Sequence, residues 1–176
     1  ITYVVMDNQI YGLTKGQTSP RSAAGFVTKS TPGGAIEPSL KPLEVALTAG
    51  ATFVAQGFST DIKELTALIE AGLNHKGFSF INVFSPCVTY NKVNTYDWFK
   101  ENLTKLSDIE GYDSSNRQLA MQTVMQREGL VTGIVYHDKE TKSYQEKVVG
   151  YSEIPLTDID ISLSEDQFDQ LVKEFM

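Results

Sequence analysis

The chain has 176 residues, of which 41% are hydrophobic and 21% charged, with a formal net charge of −7. The length suits one domain with a sizeable core, the composition excludes a disordered chain, and the negative charge argues against a nucleic-acid partner. No apolar run approaches the ~20 residues of a membrane helix, and the single cysteine, Cys87, rules out an internal disulfide and suits a reducing, cytoplasmic setting.

In chain order, Ile1-Thr2-Tyr3-Val4-Val5-Met6 is an apolar, β-branched run that predicts a buried strand. Because the chain opens directly in that strand, a longer protein cut at this point is expected. A polar, glycine-punctuated loop follows, and the turn formers Lys29-Ser30-Thr31-Pro32-Gly33-Gly34 are unsuited to regular structure. Residues 41–49 predict a short helix, with Pro42 in its first turn and Gly50 after its end. A strand is expected at Ala51-Thr52-Phe53-Val54-Ala55. Next comes a helix capped by Thr60 or Asp61, with an apolar stripe of Ile62, Leu65, Leu68, Ile69 and Leu73. Residues 78–84 predict the next strand. Strand–helix–strand alternation with short links implies a mostly parallel sheet with helices on its faces.

After Thr95 the pattern changes. Residues 96–106 and 115–126 predict amphipathic helices, and residues 130–136 and 143–149 a hairpin around His137-Asp138-Lys139-Glu140. A last helix starts at Ser164 with Gln167 as a capping box and Leu163 with Phe168 as a staple. Its apolar Phe168, Leu171, Val172 and Phe175 predict docking by one face. Charge is uneven: residues 1–41 carry Lys15, Arg21, Lys29 and Lys41 against Asp7 and Glu37, whereas residues 151–176 carry seven acidic side chains against Lys173 alone. The basic segment either attracts an anionic ligand or is simply solvated.

Two segments carry chemistry. Asp7-Asn8-Gln9-Ile10-Tyr11-Gly12-Leu13-Thr14-Lys15-Gly16-Gln17-Thr18-Ser19-Pro20 lies after the first strand, where open α/β sheets bind ligands. Taken alone, Asp7-Asn8 reads more readily as a chain turn, and Lys15 as an ordinary solvated loop lysine. Gly12 and Gly16 lack Cβ atoms and would let backbone approach a ligand. The second segment, Asn82-Val83-Phe84-Ser85-Pro86-Cys87-Val88-Thr89-Tyr90-Asn91, ends the strand at residues 78–84 with the lone cysteine, a residue that elsewhere is often a small buried hydrophobe. His75 and His137 have no ligand at metal spacing and are read as structural or solvated.

Together these strings resemble the β subunit of 2-oxoacid:ferredoxin oxidoreductases, over about residues 1–110. The resemblance implies a thiamine-diphosphate-binding fold: residues 1–110 would be the C-terminal half of its cofactor domain, and residues 111–176 an extension with the hairpin and terminal helix. It implies that Asn8, Ile10, Tyr11, Gly12 and Leu13 bind thiamine diphosphate, that the Asn8 side chain and the Ile10 carbonyl ligate Mg2+, and that Thr14 and Lys15 meet the substrate, Lys15 at a distal carboxylate. It also implies that Cys87 is one ligand of a [4Fe-4S] cluster. The family's Gly-Asp-Gly aspartate and its other three cysteines have no counterpart in this sequence. No side chain here is expected to act as a catalytic acid or base. The activity implied is oxidative decarboxylation of a 2-oxoacid, 2-oxoglutarate by preference, to acyl-coenzyme A. Electrons would pass to ferredoxin, and an α subunit would complete the site. These 176 residues alone are expected to be inactive. Two other readings stay open: an interaction module that docks on a partner subunit, and a cluster-free thiamine-dependent decarboxylase.

Overall fold

The computed structural model describes residues 1–175. They form two compact units, Ile1–Ser143 and Tyr144–Met176. The first unit is built on a five-stranded sheet of β1 (Thr2–Asp7), β2 (Phe53–Phe58), β3 (Ser79–Phe84), β4 (Thr104–Lys105) and β5 (Val131–His137), in the order β1-β3-β2-β5-β4. β1 and β2 both run parallel to β3, so Asp7, Phe84 and Phe58 stand level at the carboxyl end. β5 is antiparallel to β2, and β4 parallel to β5.

All six residues of β2 and of β3 are buried, as expected for central strands covered on both faces. Helices α1 (Pro42–Thr48) and α4 (Arg117–Gln126) pack on one face through Leu43, Ala46, Leu47, Ala120 and Val124. On the other face α2 (Ile62–Asn74) packs on Phe53, Ala55, Ile81 and Val83. Asp61 caps α2, accepting from the Glu64 amide. The buried stripe of α2 is Leu65, Leu68, Ile69 and Gly72; a methyl on Gly72 would stand 2.7 Å from Ile81 Cδ1. That close approach turns Ile62 and Leu73, expected in the stripe, out to solvent.

Three further expectations are corrected. β1 forms but is not buried: it is an edge strand on which α2, packed mainly on β2 and β3, leaves Val4 and Met6 exposed, while Tyr3 on the opposite face lines the open cleft beside α1. The helix expected over 96–106 is α3 (Tyr96–Asn102); it stops because the Thr104 amide donates to the Leu130 carbonyl and starts β4. The hairpin does not form. β5 has β2 on one edge, and its other edge is taken by β4, by the Tyr112 hydroxyl on the Val135 carbonyl, and by the Ser114 carbonyl, which accepts from the His137 amide. With both edges used, residues 143–149 have no ladder to join, and Tyr144–Lys147 is a short helix, α5. In the second unit the helix α6 (Glu165–Glu174) has the expected capping box, and within that unit Phe168, Leu171, Val172 and Phe175 lie exposed. Among the described residues no helix is long and apolar enough to cross a membrane.

Candidate functional site at the carboxyl ends of β1 and β3

The parallel register puts the ends of β1 and β3 side by side, and the Ser85 amide extends the ladder onto the Asp7 carbonyl at 2.9 Å. The two segments singled out in the sequence therefore leave the sheet as neighbours. Residues 11–17 close a small loop of their own: the Tyr11 amide donates to the Gln17 carbonyl, and the Gly16 amide to the Tyr11 carbonyl. This loop lies against the cysteine segment. A methyl on Gly12 would stand 3.2 Å from Cys87 Sγ and 3.8 Å from Asn8 Nδ2, and one on Gly16 3.0 Å from the Tyr90 ring. Asn8, Gly12 and Cys87 thus meet at one point. Cys87 is a half-buried free thiol.

Asn8 Oδ1 accepts the Ile10 amide at 3.1 Å, so Asn8 does make the side-chain turn that short polar residues favour. A carbonyl oxygen has a second lone pair, which leaves Asn8 free to face a cation as well. Ile10 is only 2% exposed, and its carbonyl accepts no hydrogen bond among the described residues. Mg2+ takes oxygen ligands, and these two oxygens fit it, although both are neutral. The neighbouring carboxylate, Asp7, is turned to Arg21, whose Nε and NH2 both lie 2.8 Å from Oδ2. Among the described residues no group of three or more His, Cys, Asp or Glu gathers to hold a metal. For an iron–sulfur cluster, normally held by four thiolates, the chain offers Cys87 alone. Tyr11, Leu13, Thr14 and Lys15 are exposed at the loop surface, with Lys15 in the left-handed region at φ 73°.

Beside Asn8 a cleft of about 580 Å3 opens between β1 and α1. Its walls are apolar, from Tyr3, Val5, Phe80, Val45 and Ala49, and Asp7, Asn8, Arg21 and Asn82 line it with polar groups. Behind Asp7 runs a buried polar chain that the sequence reading missed. Asn82 Nδ2 donates to Asp7 Oδ2 at 3.3 Å and to Gln56 Oε1 at 2.8 Å, and Gln56 Nε2 donates to the Gly129 and Val131 carbonyls at 2.7 and 2.6 Å. Asn82 Oδ1 is buried with no partner among the described residues. A signal was present: Gln56 and Asn82 are polar residues at the same position of two apolar six-residue strands, and they pair in register.

Two family models match the chain. One, for the C-terminal TPP-binding domain of thiamine pyrophosphate enzymes, covers residues 1–83, and the other, for the C-terminal part of the pyruvate ferredoxin oxidoreductase β subunit, covers residues 87–153. A 2-oxoacid:ferredoxin oxidoreductase β subunit from a Sulfolobus species is 33% identical over 82% of this chain and 51% of its own length. The KorB subunit of a Mycobacterium tuberculosis 2-oxoglutarate oxidoreductase is 41% identical over 52% of this chain and 24% of its own. Among solved structures, the 2-oxoglutarate:ferredoxin oxidoreductase of Magnetococcus marinus, with 2-oxoglutarate, coenzyme A and succinyl-CoA bound, aligns with a TM-score of 0.74. It is 39% identical, over 80% of this chain and 48% of that one. The chain covers from 24% to 51% of the length of the curated relatives it matches.

Proposed function

The chain belongs to the family of 2-oxoacid:ferredoxin oxidoreductase β subunits, and from that premise we propose that it forms part of the thiamine-diphosphate site of such an enzyme. The full-length protein, with an α subunit, would oxidise a 2-oxoacid, 2-oxoglutarate by preference, to its acyl-coenzyme A and reduce ferredoxin in the cytoplasm. The observation that carries this reading is the meeting of Asn8, Gly12 and Cys87 at adjoining strand ends. A cofactor loop and an electron-acceptor ligand belong side by side in an enzyme of this kind.

Thiamine diphosphate, when bound, would supply the decarboxylating chemistry, and a [4Fe-4S] cluster the one-electron chemistry. The chain's own residues bind and orient. Asn8 Oδ1 and the Ile10 carbonyl would hold the Mg2+ of a bound diphosphate, with the formal charge of the metal site supplied from outside this chain. Tyr11, Gly12 and Leu13 lie along the cofactor, and Thr14 and Lys15 border the substrate. The Lys15 ammonium pairs with the distal carboxylate of a dicarboxylic 2-oxoacid. Cys87 gives one thiolate to the cluster.

The test is viologen reduction by the full-length protein with its α subunit, under argon, with Mg2+, thiamine diphosphate and coenzyme A. Coenzyme-A-dependent reduction favouring 2-oxoglutarate over pyruvate is expected. In Lys15→Met the KM for 2-oxoglutarate should rise at least tenfold, while that for pyruvate changes little. Absence of reduction with every 2-oxoacid, in a cofactor- and cluster-loaded preparation, would end the reading. Equal changes in both KM values would remove Lys15 from the substrate site.

A further inference from the structure

Between β1 and α1 the chain makes an excursion of residues 8–41 whose only ladder contacts are two isolated bridges, Tyr11 with Gln17 and Thr28 with Thr31. So long a segment without regular structure needs something to hold its ends, because chain entropy opposes its order. We propose that Arg21 is that clasp, a positioning residue that joins the entry and exit of the excursion and so fixes the turn carrying Asn8 and Ile10. The proposal rests on the cofactor reading of that turn.

Three observations support it. The Asp7 side chain, 1% exposed, is a carboxylate that must be paired where it lies. Arg21 pairs it through Nε and NH2, and with NH1 reaches the other end of the excursion, donating to Ser39 Oγ at 2.7 Å and to the Leu40 carbonyl. A planar fork of five donors can serve entry and exit at once, whereas a lysine ammonium acts as a point charge.

The carboxylate that Arg21 holds itself holds the turn. Asp7 Oδ1 accepts the Gln9 amide at 3.2 Å, and Gln9 sits in the left-handed region at φ 59°. A non-glycine residue persists there only where its surroundings over-determine it. Here they do: Asn8 Oδ1 takes the Ile10 amide, and Ser22, next to Arg21, donates its hydroxyl to the Gln9 carbonyl at 2.8 Å. On the sheet side, Asn82 and Gln56 tie Asp7 to β3, β2 and the start of β5. Order therefore passes from the sheet through Asp7 to Arg21, and from Arg21 to the residues that enter α1.

The experiment uses the full-length protein in its assembled enzyme, with Arg21→Met, Arg21→Lys and Ser39→Ala. Amide exchange is followed over residues 8–17 and 38–41 against β2 and β5, and thiamine diphosphate is titrated at fixed Mg2+. In Arg21→Met, exchange over both segments should accelerate at least tenfold while β2 and β5 keep their protection. The Kd for thiamine diphosphate should rise at least tenfold, more than kcat at saturating cofactor falls. Arg21→Lys should recover only part of this, and Ser39→Ala should loosen residues 38–41 alone. Unchanged exchange over residues 8–17, or acceleration spread evenly through the sheet, would overturn the clasp. If Arg21→Met does not fold, the other two variants decide by the same criteria. If the wild-type enzyme binds no thiamine diphosphate, the cofactor reading fails while the exchange pattern still judges Arg21.

Discussion

The glycines of the loop after β1 show how one residue type can be chosen for two different reasons. Read from the sequence, Gly12 and Gly16 make room for a ligand; in the structure the space beside each is filled by the cysteine segment, Gly12 by Cys87 Sγ and Gly16 by the Tyr90 ring. Gly16 also needs its φ of 96°, where side chains carry a cost of order 1–3 kcal/mol, while Gly12 does not lie in that region. Gly16→Ala should therefore lower unfolding stability in urea by about 1–3 kcal/mol. Gly12→Ala should cost less but screen the sulfur, slowing modification of Cys87 by a thiol reagent severalfold. Equal stability losses with unchanged thiol reactivity would refute this division. At this scale the two segments stood out because loop chemistry is written in short strings, and the structure places them side by side. Arg21 was not: its carboxylate lies 14 positions upstream and its second anchor 18 downstream, distances that no local pattern encodes.

At the scale of elements, periodicity and caps located α1, α2, α4, α6 and the three parallel strands, and Asp61 and Ser164 each accept the amide their position predicts. The hairpin failed because pairing is decided by which edges are free, and β5 had none to offer. The same geometry brings together the ends of α2 and β5, where His75 and His137 meet with ring centroids 5.2 Å apart and His75 Nε2 lies 2.8 Å from Thr52 Oγ1. Burial lowers the pKa of both rings; His137 lowers that of His75 further, and Lys139 that of His137. The folded chain thus keeps both imidazoles neutral where the unfolded chain, near pH 6.5, would already charge them. Unfolding takes up protons, so stability is complete above that pH and falls as the pH drops through it, levelling once the folded rings protonate. Urea midpoints should decline from pH 7.5 to 5.5, above the carboxylate range, and His75→Gln with His137→Gln should flatten that slope. A slope equal in the variant would place the proton uptake elsewhere.

At the scale of the first unit, the β1 edge explains both the main success and the main error of reading this sequence. The apolar content of β1 identified a strand correctly, and its register with β3 delivers the site. Its burial was misjudged because composition records the surroundings a strand is suited to, not those found beside it. Exposure reaches 41% at Val4 and 75% at Met6 on the face away from α1, and the free edge presents unpaired backbone groups along six residues. Flat apolar edges of this kind recruit further strands unless charge or a bulge blocks them. The 176-residue chain in isolation should therefore sediment as concentration-dependent oligomers and bind an apolar dye. Replacing Val4 and Met6 together by lysine should return it to monomer and remove most of the dye signal, because two ammonium groups on one strand face repel a second copy while leaving the β1–β3 ladder intact. Oligomers that survive both lysines would shift the association to the exposed apolar side chains of α6, where Phe168 and Phe175 become the next substitutions.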